Sequence, residues 1–237
     1  KALVMSAIEN GKHVVTANKA LLATHGTEIF EAASAKGVMV AFEGAVAGGI
    51  PIIKAIREGL TANRIEWVAG IINGTTNYIL TEMRSRGLSF EQALAQAQHL
   101  GYAEADPTAD VQGIDAAQKL TLLASMAFGI PVQLSRAYVE GITELNAVDI
   151  AQAEQLGYRI KLLGITRRRA EGIELRVHPT LVPANSILAN VEDAMNAVLV
   201  SGDAVGQTLY YGKGAGEEPT ASAVVADLVD VTRLHTA

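Results

Sequence analysis

Helix-period stretches alternate with short β-branched runs over the first 45 residues: ALVMSAIENGK leads into HVVTANK, and ALLATHGTEIFEAASAKG into VMVAFEGAV. Val-rich runs that follow amphipathic helices are what a parallel α/β sheet requires, so this part reads as the second half of such a sheet. GGIPIIKAIREG, residues 48–59, predicts a helix with Pro51 in its first turn, where a missing N–H costs nothing. The strand IEWVAGIIN comes next, followed by TNYILTEMRSRG, a helix closed by Gly87. SFEQALAQAQHLG predicts another, with Ser89 as N-cap, Gln92 three residues later and Gly101 at its end. YAEADPTADVQG reads as a polar loop and IDAAQKLTLLASMAFG as a long helix.

Beyond Pro131 the period shortens: GITELN, YRIKLLGITRRRAEG, IELRVHPTLVP, NAVLVSGD and QTLYYG predict strands. Ile173, Leu175 and Val177 alternate with Glu174, Arg176 and His178, the mark of a strand with one wet face. SGD at 201–203 predicts a hairpin turn, and GKGAGEEP a loop before a helix whose Val224, Leu228 and Val231 share one stripe. No internal repeat or low-complexity tract interrupts the chain.

Composition narrows the class. Of 237 residues, 49% are hydrophobic and 19% charged, which argues against disorder and supplies a core for one large or two small domains. A net charge of −6 with scattered basic residues, Arg167, Arg168 and Arg169 excepted, argues against a nucleic-acid partner. No cysteine means no disulfide framework, thiolate nucleophile or cysteine metal site, and fits a cytoplasmic origin. The longest uncharged stretch, Leu120 to Ser135, is short for a bilayer and broken by Gly129 and Pro131, so no membrane partner is expected. The chain starts at Lys1 without signal-peptide order, which suggests that the numbering begins inside a longer chain.

The densest chemistry lies between 104 and 119. Glu104, Asp106, Asp110 and Asp115 stand together with no Lys or Arg between Gly87 and Gln118, and Lys119 follows. Asp115 and Lys119 are four apart and share a helix face, with Asp115 favoured by the helix dipole. One reading is a solvated acidic loop beside an exposed ion pair. The other is that Glu104 and Asp115 bind a cationic group of a substrate while Lys119, kept protonated by carboxylates, gives a proton to a carbonyl oxygen.

Three further positions stay open between structure and chemistry. Lys19 follows a buried strand: its stem can cover core while its amine reaches water, or it can meet a ligand where open α/β sheets bind them. FEGAVAGGI offers Glu43 and a lightly covered backbone, either a tight turn or a cation site. Gly212, Gly214 and Gly216 precede a helix N-terminus, either a hinge or an anion or cofactor contact. No G-x-G-x-x-G, G-x-S-x-G or H-E-x-x-H occurs, and the five His show no i, i+4 pair, which disfavours serine-hydrolase and zinc chemistry.

Taken together, VTANKALLA, FEGAVAGGIPII, GIINGTTNYILT, LGYAEADPTADVQGIDAAQKLTLLA and GKGAGEEPTASAVVADL closely resemble the homoserine dehydrogenase family across essentially the whole chain. The resemblance implies NAD(P)H-dependent reversible reduction of L-aspartate 4-semialdehyde to L-homoserine, on the route to threonine, methionine and isoleucine. It implies a homodimeric, cytoplasmic enzyme with NADP or NAD as cofactor and a structural sodium ion. It divides the chain into residues 1–45, the remaining part of a Rossmann-like nucleotide-binding domain, 46–205, an α+β dimerisation and catalytic domain with a mostly antiparallel or mixed sheet, and 206–237, a glycine loop and returning helix.

By position, Lys119 matches the proposed proton donor, and Lys19 a lysine at the junction of cofactor and substrate that shares this role. Glu104, Asp115, Asp110, Tyr102, Gly74 and Thr75 match substrate-pocket positions. Lys19, Gly214, Ala215 and Gly216 fall at the cofactor; Glu43 with the carbonyls of Val46, Gly48 and Ile50 is similar to the sodium site. The family's glycine fingerprint and first strands have no counterpart in this sequence, nor does the C-terminal threonine-regulated domain of many members.

Overall fold

The computed structural model describes residues 1–235; residues 236–237, the end of the stretch read as a returning helix, lie outside it. The chain begins with α1 (Ala2–Glu9), β1 (Val14–Val15), α2 (Lys19–Lys36) and β2 (Val40–Ala41), and the two strands pair in parallel. Asn18 caps α2 by accepting the Leu21 amide, and Gly37, at φ +64°, ends it in the left-handed conformation that Gly adopts without strain. This small sheet is the parallel sheet that the Val-rich runs predict.

The six-stranded mixed sheet runs in the order β4 (Tyr138–Val139), β6 (Gly172–Pro183), β5 (Tyr158–Arg169), β3 (Ile65–Ile71), β7 (Met195–Gly202), β8 (Gly206–Lys213), antiparallel except where β4 meets β6. One face carries α4 (Gly74–Arg86) and α7 (Ile114–Phe128), so that Gly164 of β5 lies under Leu120 and Ile72. Val68, Leu162, Val198 and Val200 of that face are buried with Ile79, Leu80, Met83 and Leu120 of the helices, and each such side chain contributes about 1.5–3 kcal/mol by leaving water. The opposite face holds a smaller cluster around Ile71, Leu163 and Ala197. Finally α9 (Glu217–His235) returns to pack on residues 43–45 and β1.

The predicted 48–59 helix is shorter than the pattern suggests. Ala47 and Gly48 sit at φ +55° and +53°, which no α-helix tolerates, so α3 (Ile52–Lys54) starts after Pro51 and passes into one π turn, Ala55–Gly59. GITELN is a turn rather than a strand, and its last residue, Asn146, caps an unpredicted helix, α8 (Ala147–Gln155), through a capping box with Asp149. The polar loop contains a single turn, α6 (Thr108–Val111), after α5 (Phe90–His99). Ser201 and Gly202 still belong to β7, and the hairpin turn falls on 203–205. In α9 the buried positions are Ala223 and Asp227, while Leu228 of the expected stripe is 51% exposed. No helix among the described residues is long and apolar enough to cross a membrane.

Candidate active site

The site grows from one N-cap. Asn73 is extended (φ −129°, ψ 113°) just before α4, and its Oδ1 accepts the Thr76 amide at 2.8 Å. With Oδ1 committed to the helix, Nδ2 must point away from it, and it donates to Asp110 Oδ1 at 2.6 Å and Asp115 Oδ2 at 2.9 Å. Asp115, in the first turn of α7, also receives Lys119 Nζ at 2.7 Å and Lys19 Nζ at 3.3 Å. Lys119 Nζ donates further to the Ile72 carbonyl at 2.9 Å. A carboxylate 8% exposed thus sits between two ammonium groups and one amide.

Burial works against the charge on Asp115, but the Lys119 ammonium, the Asn73 amide and the Lys19 charge together hold its carboxyl below the usual range. Asp110 behaves oppositely. Burial pushes it up, the neighbouring Asp115 charge adds to this, and the Asn73 amide only partly offsets both. An ammonium has three donors, of which Lys119 uses two on Asp115 and Ile72.

Both lysines line a cleft of about 240 Å³ with Gly48, Gly214, Ala215 and Gly216. The glycines are there because two backbones touch. A Cβ on Gly48 would fall 2.6 Å from the carbonyl group of Gly214, and one on Gly214 would fall 1.9 Å from the Asn196 amide nitrogen. The Gly49 amide donates to the Lys213 carbonyl at 3.1 Å, tying the two turns. Asn196 is fully buried, and its amide atoms have no hydrogen-bond partner. A larger depression of about 460 Å³ lies at the β5–β6 turn, but its Arg169 and Glu174 pair with each other at 3.0 Å and no buried reactive group faces it.

Lys119, Lys19, Asp115 and Asp110 therefore come together in one network. Thr75 Oγ1 donates to the Tyr102 carbonyl at 2.6 Å, and the Tyr102 ring, 46% exposed, lies 5.0 Å from that of Tyr78. Gly74 is pressed on the Ala194 carbonyl, 2.6 Å from where a Cβ would be. Glu104 is exposed between α5 and α6; its main-chain oxygen accepts from Gln98 at 3.1 Å, and its carboxylate shares in none of these contacts.

Glu43 is buried, and both carboxylate oxygens are taken by the Ile53 and Lys54 amides at 2.9 and 2.8 Å, so it caps α3. Its own amide donates to Asp227 Oδ2 at 2.8 Å, and burial pushes both carboxyls up. Val46, Gly48 and Ile50 lie in the turn that follows, with the two positive φ angles. Among the described residues no group of three His, Asp or Glu side chains is arranged to hold a metal ion.

Asn73 and Asn196 are absent from the sequence-based set. For Asn73 a signal exists, an Asn-Gly at a strand-to-helix junction with Thr three residues on, which marks an N-cap. For Asn196 there is none, because its role depends on the glycine that β8 brings against it.

Two family models match the chain, homoserine dehydrogenase over residues 51–229 and the homoserine dehydrogenase NAD binding domain over residues 1–43. Homoserine dehydrogenases of Pseudomonas aeruginosa and Neisseria gonorrhoeae are 69% and 62% identical over 234 residues, 99% of this chain and 54% of theirs. The crystal structure of a homoserine dehydrogenase from Thiobacillus denitrificans is 73% identical and superposes with a TM-score of 0.98 over 99% of this chain and 55% of that one. A hyperthermophilic archaeal homoserine dehydrogenase in complex with NADPH is 29% identical, with a TM-score of 0.85 over 98% of this chain and 67% of that one. The chain spans about half the length of the curated relatives it matches. With a match from Pro51 to Val229 that takes in Asn73, Asp110, Asp115 and Lys119, the chain belongs to the homoserine dehydrogenase family.

Proposed function

We propose that this chain carries the substrate side of a site that reduces L-aspartate 4-semialdehyde to L-homoserine with NADPH or NADH, reversibly. The observation that supports this best is the buried Lys119 ammonium, held by Asp115 at 2.7 Å and Ile72 O at 2.9 Å on the wall of the cleft. A carbonyl that gains hydride needs a proton at its oxygen, and an ammonium anchored in this way can give one without moving. Lys19, on the other side of Asp115, is close enough to share that role and to replenish the proton. The substrate's α-ammonium needs carboxylates, a role we assign to Asp110 and Asp115, joined by Glu104 of the exposed loop between α5 and α6. Thr75, Gly74 and Tyr102 complete its wall.

A nicotinamide cofactor fits the glycine-lined part of the cleft, at Gly48, Gly214 and Gly216. When bound, that group supplies the hydride. Ala215 and Lys19 flank the same space. A sodium ion in the 43–50 turn would rest on the carbonyls of Val46, Gly48 and Ile50, since the Glu43 carboxylate is already committed to α3. We read the chain as residues 1–45, 46–205 and 206–237, a division that the packing of α9 on residues 43–45 and β1 supports. The outer face of the six-stranded sheet fits a second copy of the chain.

The test is absorbance loss at the nicotinamide band with aspartate semialdehyde and NADPH, then NADH, together with intact mass. Turnover supports the dehydrogenase reading, and Lys119→Ala should then lose about 100-fold or more for a lost proton donor. The competing reading is a substrate-binding piece without turnover. It predicts homoserine binding without turnover at a mass near 24.9 kDa.

A further inference from the structure

Behind the site lies a buried cation that the chemistry above does not use. Lys161 of β5 is 2% exposed. Its Nζ donates to Asn77 Oδ1 at 3.0 Å and to the Val191 carbonyl at 2.5 Å, and lies 3.9 Å from Glu192 Oε2. An ammonium can only donate, so it decides which way the Asn77 amide faces. Asn77 Nδ2 is thereby turned onto three carbonyls, Val191 at 3.1 Å, Asp193 at 2.9 Å and Met195 at 3.2 Å.

These contacts fold the 191–195 segment into an arc around one turn of α4. Thr81 secures the other side, accepting the Asp193 amide at 3.2 Å while donating to the Asn77 carbonyl at 2.7 Å. Asp193 is held at φ +55°, a conformation that a non-Gly residue keeps only when its surroundings enforce it. The groups facing Lys161 are mixed in sign. Glu192 accepts from Arg84 at 2.9 Å and Arg159 at 2.8 Å, and Arg84 also reaches Glu154 at 3.4 Å.

The arc meets the site at the start of α4. Ala194 presents its carbonyl to Gly74, the first residue of α4, so closely that a Cβ there would stand 2.6 Å away. Asn73, which gathers Asp110 and Asp115, is the preceding residue, and Asn77 is one helical turn beyond it. Displacing the arc must therefore displace the helix start that carries Asn73, Gly74 and Thr75.

We infer that Lys161, acting through Asn77 and the 191–195 arc, is a positioning residue for the amino-acid pocket. This rests on the reading of that pocket as the homoserine site. The experiment is calorimetric binding of L-homoserine to the 237-residue chain and to Lys161→Met and Thr81→Val, with melting temperatures. Ile150→Ala, which empties a buried site in α8, serves as a destabilised control. Met keeps the stem and removes the donor, and should weaken homoserine about 10-fold or more; Thr81→Val should weaken it about threefold. Ile150→Ala should melt lower with affinity within twofold of the parent. Should Lys161→Met not fold, Thr81→Val decides alone. Unchanged affinity in the variants that fold, or a loss that Ile150→Ala matches, overturns the positioning role. If the parent itself does not bind homoserine, the reading of the pocket fails and the inference with it.

Discussion

Asn73 does two jobs with one carboxamide: Oδ1 satisfies an orphan amide of α4, and the nitrogen that this leaves pointing outward collects two carboxylates. The two jobs can be separated. Asn73→Asp keeps the capping oxygen and should cost little of the roughly 1 kcal/mol that a good cap contributes, yet it places a third carboxylate against Asp110 and Asp115. Homoserine affinity in calorimetry should fall more in Asn73→Asp than in Asn73→Ala, although Asn73→Ala loses the cap; the reverse order would show that the cap alone matters. The cluster of Asp110, Asp115 and Lys119 is legible in the sequence because a lysine and carboxylates at helical spacing form a pattern within one segment. For Asn73 only the N-cap is legible, since its hold on the two carboxylates reaches 37 and 42 residues away. Lys161 was hidden for the same reason, inside a strand that reads only as alternating. Burial, and then the charges of Arg84 and Arg159 against that of Glu192, bring its ammonium down to about 8. Below that pH both folded and unfolded chains carry the proton, and the burial penalty is present in full. Between about 8 and the ordinary lysine value of 10.5 the unfolded chain binds more protons, so stability should rise with pH. The slope is at most about 1.4 kcal/mol per pH unit for one proton. Denaturant titrations of parent and Lys161→Met at pH 7.5 and 9.5 check this, and an identical pH dependence in both would rule it out.

Among the elements, those whose signals are local were legible. The capping box at Ser89 and Gln92 starts α5, and the left-handed Gly87 and Gly129 end α4 and α7, where the sequence places these boundaries. The 48–59 helix failed because tertiary contact overrides propensity. Gly48 must lie flat against the carbonyl of Gly214, and the φ of +53° that achieves this forbids a helix through it. Helix α8 was lost because only Ile150 and Ala153 of it are buried, too few to give a period. The crossing of the 47–49 and 213–216 turns makes a prediction of its own. Gly48→Ala combines a left-handed backbone with a Cβ 2.6 Å from main-chain atoms that cannot rotate away. It should lower stability by about 2 kcal/mol or more and close the cleft to cofactor. Gly59→Ala, with open space around its Cβ, should be nearly neutral in the same melts. Equal behaviour of the two would mean that the turns do not touch as described.

At the scale of the whole molecule, the sheet is asymmetric in a way that only the assembled strands reveal. Its inner face is closed by α4 and α7, whereas the outer face carries Ile71, Leu163, Ile165, Ala197, Leu199 and Leu209 in register across four strands, Leu199 opposite both Ala69 and Leu209. Ile165, Leu199 and Leu209 remain partly exposed, and Tyr211 beside them is 56% exposed. The sequence showed the alternation in each strand but not which phases would coincide, because register is set by pairing and not by any one strand. A contiguous apolar face of this kind, continuous with a small core cluster, is what a self-complementary interface of a two-fold dimer buries. Leu199→Glu places a charge at its centre without touching the inner face or the Asn73 network, which lies across the sheet. Sedimentation should then report twice 24.9 kDa for the parent and a monomer for the variant at the same concentration, both with the same helical signal. A parent already monomeric at micromolar concentration would leave this face to some other partner, and the homodimer reading would fall while the Asn73 network, which lies across the sheet, would stand.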